Sequence, residues 1–358
     1  MSKETLFYKD KPIFGLDVGY GSIKVMQITS NGHHHNVIGY GAANFDASCI
    51  KDGIITDIEP VAKAIQSLFK EKLTGDITTH RVVMSIPAAH VFNRTVKLPN
   101  LSTKELEEAI NSEVERYVPI PNADLYTDYT KLRTAGSESE YLVVATPRKV
   151  VDRRVDLAKV LGLELVGIQT TIDASGRMFL QSDASTNPTA LIDFGSTSSD
   201  LTIYDQGLIV TGTVPVGGDA FTDRIAQTLS VTKEEAHIIK TKYGLGVSKK
   251  QKQITDGLVP TLQMIIKEVK RTIRYYEERS GSEQKVLQIV TMGGGANMPG
   301  LSDYLTNTLR IPTRTCDPWQ NLEFSRLQPP NNTEKTMYVT AAGLALTPAK
   351  ALFSRGSA

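Results

Sequence analysis

The sequence predicts an α/β fold with about two domains, and three features lead to this prediction. At 358 residues the chain is long enough for about two domains or one large two-lobed unit. Strand-like and helix-like apolar patterns alternate along its whole length. A strand–glycine turn–strand unit near the start is repeated about 175 residues later. A composition of 40% hydrophobic and 22% charged residues is that of an ordinary globular protein.

Charge and cysteine content exclude several classes of protein. Lys and Arg number 40 against 39 Asp and Glu, so the formal net charge is +1 and a nucleic-acid binder that works through bulk charge is not expected. The two cysteines are too few for a disulfide framework and favour a reducing cytosol. The opening residues lack the apolar core of a signal peptide, and no run of about 18 apolar residues occurs. We therefore expect a cytoplasmic protein that reaches a membrane only through a partner.

The first elements are a hairpin and a helix. Two apolar strands within Ile13–Thr29 flank Gly19-Tyr20-Gly21-Ser22, a connection typical of a hairpin. Apolar residues at helical spacing predict a helix over Ile58–Lys72.

Residues 81–165 are predicted to form a small unit of their own in the order β-α-β-β-α-β. The capping box Ser102-Thr103-Lys104-Glu105 begins a helix that Pro119 ends. Thr146-Pro147 is expected to start the next helix as N-cap and first helical residue.

The second half repeats the strand–turn–strand theme over Thr189–Gly212, with the turn at Gly195-Ser196-Thr197-Ser198. The remaining patterns predict a helix through Leu229, helices at Lys233–Tyr243, Thr261–Arg279 and Leu301–Leu309, a strand at Val286–Thr291 and a late helix of small residues over Thr340–Ala345.

Three junctions between a strand and a glycine turn have the composition of a phosphate site. Asp17 and Asp193 each stand at the end of a strand before a glycine turn, and Gly293-Gly294-Gly295 follows a third strand. Glycine lets backbone N–H groups approach a phosphate closely, and a nearby carboxylate can hold Mg²⁺ through its water shell. Two such turns facing each other would hold a metal–polyphosphate from both sides. The alternatives are plain hairpin turns for the first two junctions and a flexible loop for the third.

Other nucleotide motifs are incomplete. No GxxxxGK[ST] occurs, which excludes a P-loop enzyme. Lys24 stands where GxGxxG would need its third glycine, so a Rossmann dehydrogenase is not expected.

The segments around these turns resemble the motifs of the actin-like ATPase superfamily. Phe14–Lys24 is similar to its first phosphate motif and Leu191–Leu201 to its second. Val290–Asn297 is similar to the adenosine motif, and Ala341–Ala345 to the second connecting helix. The motifs occur in the family's order and span almost the whole chain.

Within the superfamily the chain is most similar to the PilM family of type IV pilus assembly. Glu113–Pro121 and Leu125–Tyr129 resemble that family's inserted subdomain, and the insertion begins at the same place in the chain. The resemblance implies a ribonuclease H-like, two-lobed actin fold with an inserted βαββαβ subdomain. The implied division is a first lobe from 1–80, 166–187 and 335–358, an inserted partner-binding subdomain at 81–165, and a second lobe at 188–334 with a helical subdomain at 225–285.

The resemblance also implies ATP and Mg²⁺ in the cleft between the lobes. Asp17 and Asp193 would hold Mg²⁺ through water. The implied nucleotide-binding residues are Gly19, Tyr20, Gly21, Ser22, Lys24, Gly195, Ser196, Thr197, Gly217, Gly218, Lys240, Gly293, Gly294 and Gly295. The alternative for Lys240 is a solvated lysine on a helix surface.

Some residues depart from the family's pattern. Tyr20 replaces a Ser or Thr in the first phosphate turn, and His237 stands where a Glu is usual. Active relatives place Glu or Gln at the start of the first connecting helix, where this chain has Thr171. Asp173 is the remaining candidate for a catalytic residue, with a helix cap as its alternative role. Since hydrolysis needs a residue that orients or deprotonates water, we expect slow turnover or none.

The implied partner is the N-terminal peptide of PilN, a single-span inner-membrane protein, and contacts with pilus motor ATPases or with further copies of the chain are also implied. Ile86–Leu98 and the helix Leu106–Tyr117 are candidates for the peptide groove, with burial in the core as the alternative.

Two other functions are alternatives to a PilM-like scaffold. An FtsA-like cell-division filament protein would need a basic amphipathic helix at its C-terminus, and Pro348–Ala358 is too short and too weakly patterned for one. A sugar or acetate kinase with the same fold would need a substrate-binding Asp or Arg in the cleft, and we identify none in the sequence.

Overall fold

The computed structural model describes residues 11–32, 34–182, 187–205, 207–280, 284–348 and 352. Among these residues the strands are β1 (Phe14–Val18), β2 (Ser22–Asn31), β3 (His34–Asn44), β4 (Ile50–Lys51), β5 (Ile54–Ile55), β6 (Thr74–Gly75), β7 (Arg81–Ile86), β8 (Phe92–Pro99), β9 (Leu125–Ala135), β10 (Glu138–Pro147), β11 (Glu164–Thr170), β12 (Thr189–Phe194), β13 (Ser199–Tyr204), β14 (Leu208–Val214), β15 (Gln288–Met292), β16 (Thr313–Thr315) and β17 (Leu322–Glu323). The α-helices are α1 (Ile58–Glu71), α2 (Thr103–Tyr117), α3 (Arg148–Leu161), α4 (Thr171–Ser182), α5 (Gly218–Leu229), α6 (Lys233–Lys242), α7 (Gln251–Ser280), α8 (Leu301–Leu309) and α9 (Val339–Ala345).

The first large sheet has the strand order β11-β7-β1-β2-β3-β17, with β6 also paired to β3. Strands β1, β7 and β11 run parallel, whereas β1 and β2 form the antiparallel hairpin that the sequence predicts. Helices α1 and α3 cover one face, and Val61, Ile65 and Leu157 are buried there. Asp17 lies near the carboxyl end of β1, on the side of the sheet where the parallel strands β1, β7 and β11 end.

The second large sheet has the order β14-β13-β12-β15-β16. Its β12–β13 hairpin repeats the β1–β2 hairpin, and β15 pairs in parallel with β12 so that Met292 lies opposite Asp193. The glycine run after Met292 therefore leaves the sheet beside the carboxyl end of β12. The 30-residue helix α7 packs against β13 and β14 and buries Leu262, Ile266 and Val269.

Two helices, α4 and α9, lie between the sheets. Helix α9 contacts β1 and β2 and packs along α4, which itself contacts β12 and β13. The contacts are at backbone distance: a Cβ on Gly15 would lie 2.1 Å from the carbonyl oxygen of Ala341, and one on Gly343 would lie 2.0 Å from that of Ala174. This close packing explains why the late helix is built from alanine and glycine.

The segment Phe92–Pro147, called the inserted module below, forms a separate three-stranded antiparallel sheet in the order β8-β10-β9 with α2 packed on it. The capping box is confirmed, because the Ser102 side chain accepts from the Glu105 N–H and the Glu105 side chain accepts from the Ser102 N–H. The sequence predicted residues 81–165 as one unit, and this prediction is wrong for strands β7 and β11, which do not pair with the strands of the module. All six residues of β7 are buried, and β7 pairs with β1 and β11 inside the first large sheet.

A strand buried on both faces belongs in the interior of a sheet, which is where β7 lies, between β1 and β11, and β11 extends the same sheet as its edge strand. The lobe boundaries inferred from the sequence remain predictions.

Candidate functional site

The first hairpin holds a carboxylate and an ammonium group beside its glycine turn. Asp17 and Lys24 are cross-strand partners, and Lys24 Nζ lies 3.7 Å from Asp17 Oδ2. The turn is closed by a hydrogen bond of 2.9 Å from the Gly19 N–H to the Ser22 carbonyl, and Lys24 Nζ donates to Ser22 Oγ over 2.8 Å. From the neighbouring strand β7, Ser85 Oγ donates to Asp17 Oδ1 over 2.7 Å. The carboxylate is thereby fixed in orientation at the mouth of the turn.

The second hairpin carries two carboxylates. Asp193 and Asp200 are cross-strand partners on β12 and β13. Ser175 Oγ on α4 donates to Asp193 Oδ2 over 2.9 Å, and Thr213 Oγ1 donates to Asp200 Oδ1 over 2.7 Å. A Cβ on Gly293 would lie 2.2 Å from Asp193 Oδ1, so the third glycine junction packs directly on this carboxylate.

The charges of the two hairpins act on each other. Burial, together with the nearby negative charges of Asp200 and Asp17, raises the pKa of Asp193 to about 7, while Ser175 and Lys24 oppose the shift. Burial and the charge of Asp200 likewise raise the pKa of Tyr20 in the first turn. Asp17 and Asp193 lie on elements far apart in the chain and are close enough for their charges to interact, and their joint role in a metal site stays a prediction.

The start of α5 packs against the second glycine turn. The N–H groups of Gly218 and Asp219 donate to the carbonyls of Gly195 (2.8 Å) and Ser196 (2.9 Å). A Cβ on Gly217 would lie 2.4 Å from the Ser196 carbonyl oxygen, so only glycine fits there. The second glycine turn therefore lies beside the N-terminus of α5, the positive end of the helix dipole.

Lys240 is buried, and the alternative of a solvated lysine is wrong. Its Nζ donates to the Gly218 carbonyl over 2.9 Å and to Thr222 Oγ1 over 2.8 Å. Burial lowers the pKa of Lys240, and the nearby Asp219 partly offsets this effect. The positive charge thus sits behind the first residues of α5.

The third junction lies beside Lys240. Gly293 has a φ of +80° and its carbonyl accepts from Thr336 Oγ1 over 2.7 Å. A cavity of about 30 Å³ is lined by Lys240, Thr241, Gly294, Gly295, Asn297, Met298 and Thr333. The glycine run is a shaped turn that borders the site, so the alternative of a flexible loop is not supported.

The residues present fit a magnesium nucleotide. The donor set includes carboxylate oxygens, the ligands that Mg²⁺ prefers. A Cβ on Gly21 would meet its nearest atom only at 3.6 Å and one on Gly294 only at 3.9 Å, so space is open beside these two turns. Within the described ranges, no group of three or more His, Cys, Asp or Glu side chains is arranged to bind a metal ion directly.

Asp173 has the contacts of a helix start. The Asp173 N–H donates to Thr170 Oγ1 over 3.0 Å, and Thr170 Oγ1 donates to the Asp173 carboxylate over 2.6 Å. Burial raises the pKa of Asp173, and Thr170 and Arg177 oppose the shift. Thr170 therefore caps α4, and Asp173 is its partner three residues later, so Asp173 is engaged at the helix start without being the cap itself.

Sequence reasoning missed four side chains of the site. Asp200 lies opposite Asp193 and could have been found from the hairpin register. Ser85 and Ser175 reach the two aspartates from β7 and α4, and His90 contacts Tyr20 over 2.7 Å. These last three contacts join distant segments, and the sequence carries no local signal for them.

The predicted peptide groove is only partly open. Leu106, Ile110 and Val114 of α2 are buried in the core of the inserted module, as the alternative in the sequence analysis has it. Leu142 and Val144 alternate along β10 with the residues that face α2, and both are half-buried. Among the described strands, β8 forms one edge of the module's sheet.

No helix in the described part of the chain is both long and apolar enough to cross a bilayer.

Comparisons with known proteins place this geometry in a family. A family profile described as "Type IV pilus assembly protein PilM" matches residues 15–349. The cell division protein FtsA of Bacillus subtilis (strain 168) is 21% identical over 342 residues, which cover 83% of this chain and 77% of FtsA. FtsA of Streptococcus pneumoniae serotype 2 is 24% identical over 330 residues, which cover 80% of this chain and 71% of FtsA.

Two solved structures show the same fold. A chain described as "PilM-PilN type IV pilus biogenesis complex" superposes with a TM-score of 0.81 at 20% identity, over 94% of this chain and 98% of that one. MreB 5 of Spiroplasma citri bound to AMPPNP superposes with a TM-score of 0.54 at 14% identity, over 93% of this chain and 95% of that one. The α/β fold is therefore actin-like, as the sequence predicts.

Proposed function

Because the chain belongs to the PilM family of type IV pilus assembly proteins, we propose that it is an ATP-binding scaffold of the pilus inner-membrane platform. The proposal includes Mg²⁺ held through water by Asp17 and Asp193, and phosphates held by the glycine turns. It includes a PilN-like N-terminal peptide as partner, a place at the cytoplasmic face of the inner membrane through that partner, and relay to pilus motor ATPases. The lobe division given above is part of the same proposal, with the inserted subdomain limited to the inserted module, Phe92–Pro147.

One observation carries the nucleotide site. The pKa of Asp193 is raised to about 7 because its carboxylate is buried beside Asp200 and Asp17. Placing these carboxylates close together and away from bulk water costs free energy unless a cation neutralises their charge. When bound, Mg²⁺ would supply positive charge to both the carboxylates and the phosphates. The chain's own contribution is to fix Asp17 through Ser85, fix Asp193 through Ser175 and present backbone N–H groups.

The same geometry supports nucleotide binding with slow turnover or none. Thr171 Oγ1 accepts from the Ala88 N–H over 3.2 Å and lies 3.3 Å from Asp200 Oδ2. A hydroxyl held in this way does not deprotonate water at neutral pH. Asp173 is engaged with Thr170 at the start of α4.

Fluorescent ATP titration tests the nucleotide proposal. Binding should saturate with Mg²⁺ present and weaken at least tenfold in Asp193→Asn. Asp223→Asn is the matched control, because Asp223 is an exposed carboxylate whose partner is Lys233 on the surface. Equal affinity in wild type and Asp193→Asn would remove Asp193 from the site.

For the partner we propose the face of the inserted module that α2 does not cover, together with the β8 edge. An edge strand can accept an added peptide strand, and the half-buried Leu142 and Val144 offer apolar contact. Leu142→Glu should weaken binding of the PilN-like N-terminal peptide at least tenfold in fluorescence anisotropy. Val247→Glu is the matched control, since Val247 is an exposed apolar residue (95%) outside the inserted module. Equal loss in both variants would argue against this face.

A further inference from the structure

The root of the inserted module, defined here as residues 87–91 and helix α3, contacts the first phosphate turn directly. The Tyr20 hydroxyl lies 2.7 Å from Nε2 of His90. His90 ends a single 3₁₀ turn, Ala88–His90, just before β8 begins. Burial is the largest cause that raises the pKa of Tyr20 and lowers that of His90, so both groups of this hydrogen bond are partly shielded from solvent. A shielded hydrogen bond therefore joins the phosphate turn to the start of the module.

The same 3₁₀ turn is also tied to the second hairpin. The Ala88 N–H donates to Thr171 Oγ1 over 3.2 Å, and Thr171 Oγ1 donates to Asp200 Oδ2 over 3.3 Å. Asp200 is the cross-strand partner of Asp193. The start of the module thus contacts the first hairpin directly and is linked to the second hairpin through Thr171.

The end of the module is tied to the metal-site carboxylate through Arg154 on α3. Arg154 is fully buried, and its guanidinium donates to the carbonyls of Ser85 (2.6 Å), Gly53 (3.1 Å) and Val150 (2.8 Å). Ser85 in turn donates its hydroxyl to Asp17. Arg154 Nη2 is buried without a hydrogen-bond partner in the described structure. Leaving an N–H of a buried guanidinium without an acceptor costs folding free energy. This N–H is available to form a hydrogen bond if the root changes position.

These contacts end on Tyr20, Asp17 and Asp200, the groups nearest to where a magnesium nucleotide would change the local charge. We propose that the Tyr20–His90 hydrogen bond couples nucleotide occupancy to the position of the inserted module, so that nucleotide and peptide binding are energetically linked. Two sites linked in this way must influence each other by the same factor. The inference rests on the proposed function, because it takes the two ligands from there.

The test compares peptide affinity with and without Mg²⁺-ATP. In wild type the two dissociation constants should differ at least fivefold, in the range of ordinary coupling between sites. His90→Phe keeps a ring of similar shape and removes the nitrogen that contacts Tyr20, and it should bring the ratio below about twofold. Tyr275→Phe is the matched control, since it removes a tyrosine hydroxyl that accepts from Arg279 on α7, outside the inserted module and its root. The double variant Tyr20→Phe/His90→Phe removes both partners and should match His90→Phe, which excludes an unsatisfied hydroxyl as the cause.

A wild-type ratio of one, or an unchanged ratio in His90→Phe, would overturn the coupling. Direct titration with fluorescent ATP reports separately whether the nucleotide site itself exists. If the peptide does not bind, amide hydrogen exchange of residues 92–99 decides: Mg²⁺-ATP should change protection in wild type and not in His90→Phe. Equal changes in the two proteins, or no change in wild type, would refute the inference even where nucleotide binds.

Discussion

Replacing Asp193 by Asn should stabilise the nucleotide-free protein at alkaline pH. Asp193 is buried beside two other carboxylates, and its pKa rises from 3.8 to about 7 for that reason. Asparagine has the same shape, can still accept from Ser175 Oγ, and carries no charge. The substitution therefore removes the electrostatic cost and keeps the hydrogen bond.

The size and the pH window follow from linkage. The folded state holds this proton more tightly than the unfolded chain, so the group's contribution to the free energy of unfolding is lost as pH rises from about 3.8 through about 7. Each pH unit within that window is worth about 1.4 kcal/mol, which gives a ceiling of about 4 kcal/mol above pH 7. Because the side chain retains some solvent contact, we expect a measured gain of about 1 to 3 kcal/mol at pH 8.

Urea unfolding at several pH values, in a metal chelator and without nucleotide, measures this gain. The difference between Asp193→Asn and wild type should be small at pH 4 and should grow towards pH 8. Asp223→Asn, an exposed carboxylate, serves as the control and should show no such growth. A variant that is less stable than wild type at pH 8, or a difference independent of pH, would refute the reasoning.

Two further substitutions probe the turns around the nucleotide site. Gly217→Ala should destabilise the fold by about 1 to 3 kcal/mol in urea unfolding, because its Cβ would lie 2.4 Å from the Ser196 carbonyl oxygen. Gly294→Ala, whose Cβ would meet its nearest neighbour at 3.9 Å, should change stability by less than about 0.5 kcal/mol, and equal losses would contradict the close packing. Lys240→Met should weaken ATP about tenfold in fluorescence titration, since it removes a buried cation behind the phosphate turn. The exposed Lys242→Met is its control, and equal affinities in the two variants would count against a role for Lys240.

The sequence predicted the parts of the fold that local patterns encode. The two hairpins and the capping box at Ser102 depend on neighbouring residues, and each appears where it was expected. Helix α7 was predicted to begin at Thr261 but begins at Gln251, with Pro260 inside it. Its first turns are polar, and only packing against the second large sheet makes them helical despite the proline.

The parts that depend on distant contacts could not be predicted. The sequence shows β7 as one apolar strand, and its position between β1 and β11 follows only from the assembled sheet. Tyr20 was placed beside phosphate because of its position in the turn, whereas its hydroxyl contacts His90, 70 positions further along the chain. Side-chain partners at such separations leave no periodic signal in the sequence.

A double-mutant cycle on Asp17 and Asp193 tests most directly whether the two hairpins act on one magnesium nucleotide. Mg²⁺-ATP affinity would be measured by calorimetry for wild type, Asp17→Asn, Asp193→Asn and the double variant. If both carboxylates hold the same ion, each single change weakens binding and the double change adds little, with a coupling energy of at least about 1 kcal/mol. Strictly additive effects, or variants that bind as wild type does, would contradict a shared site.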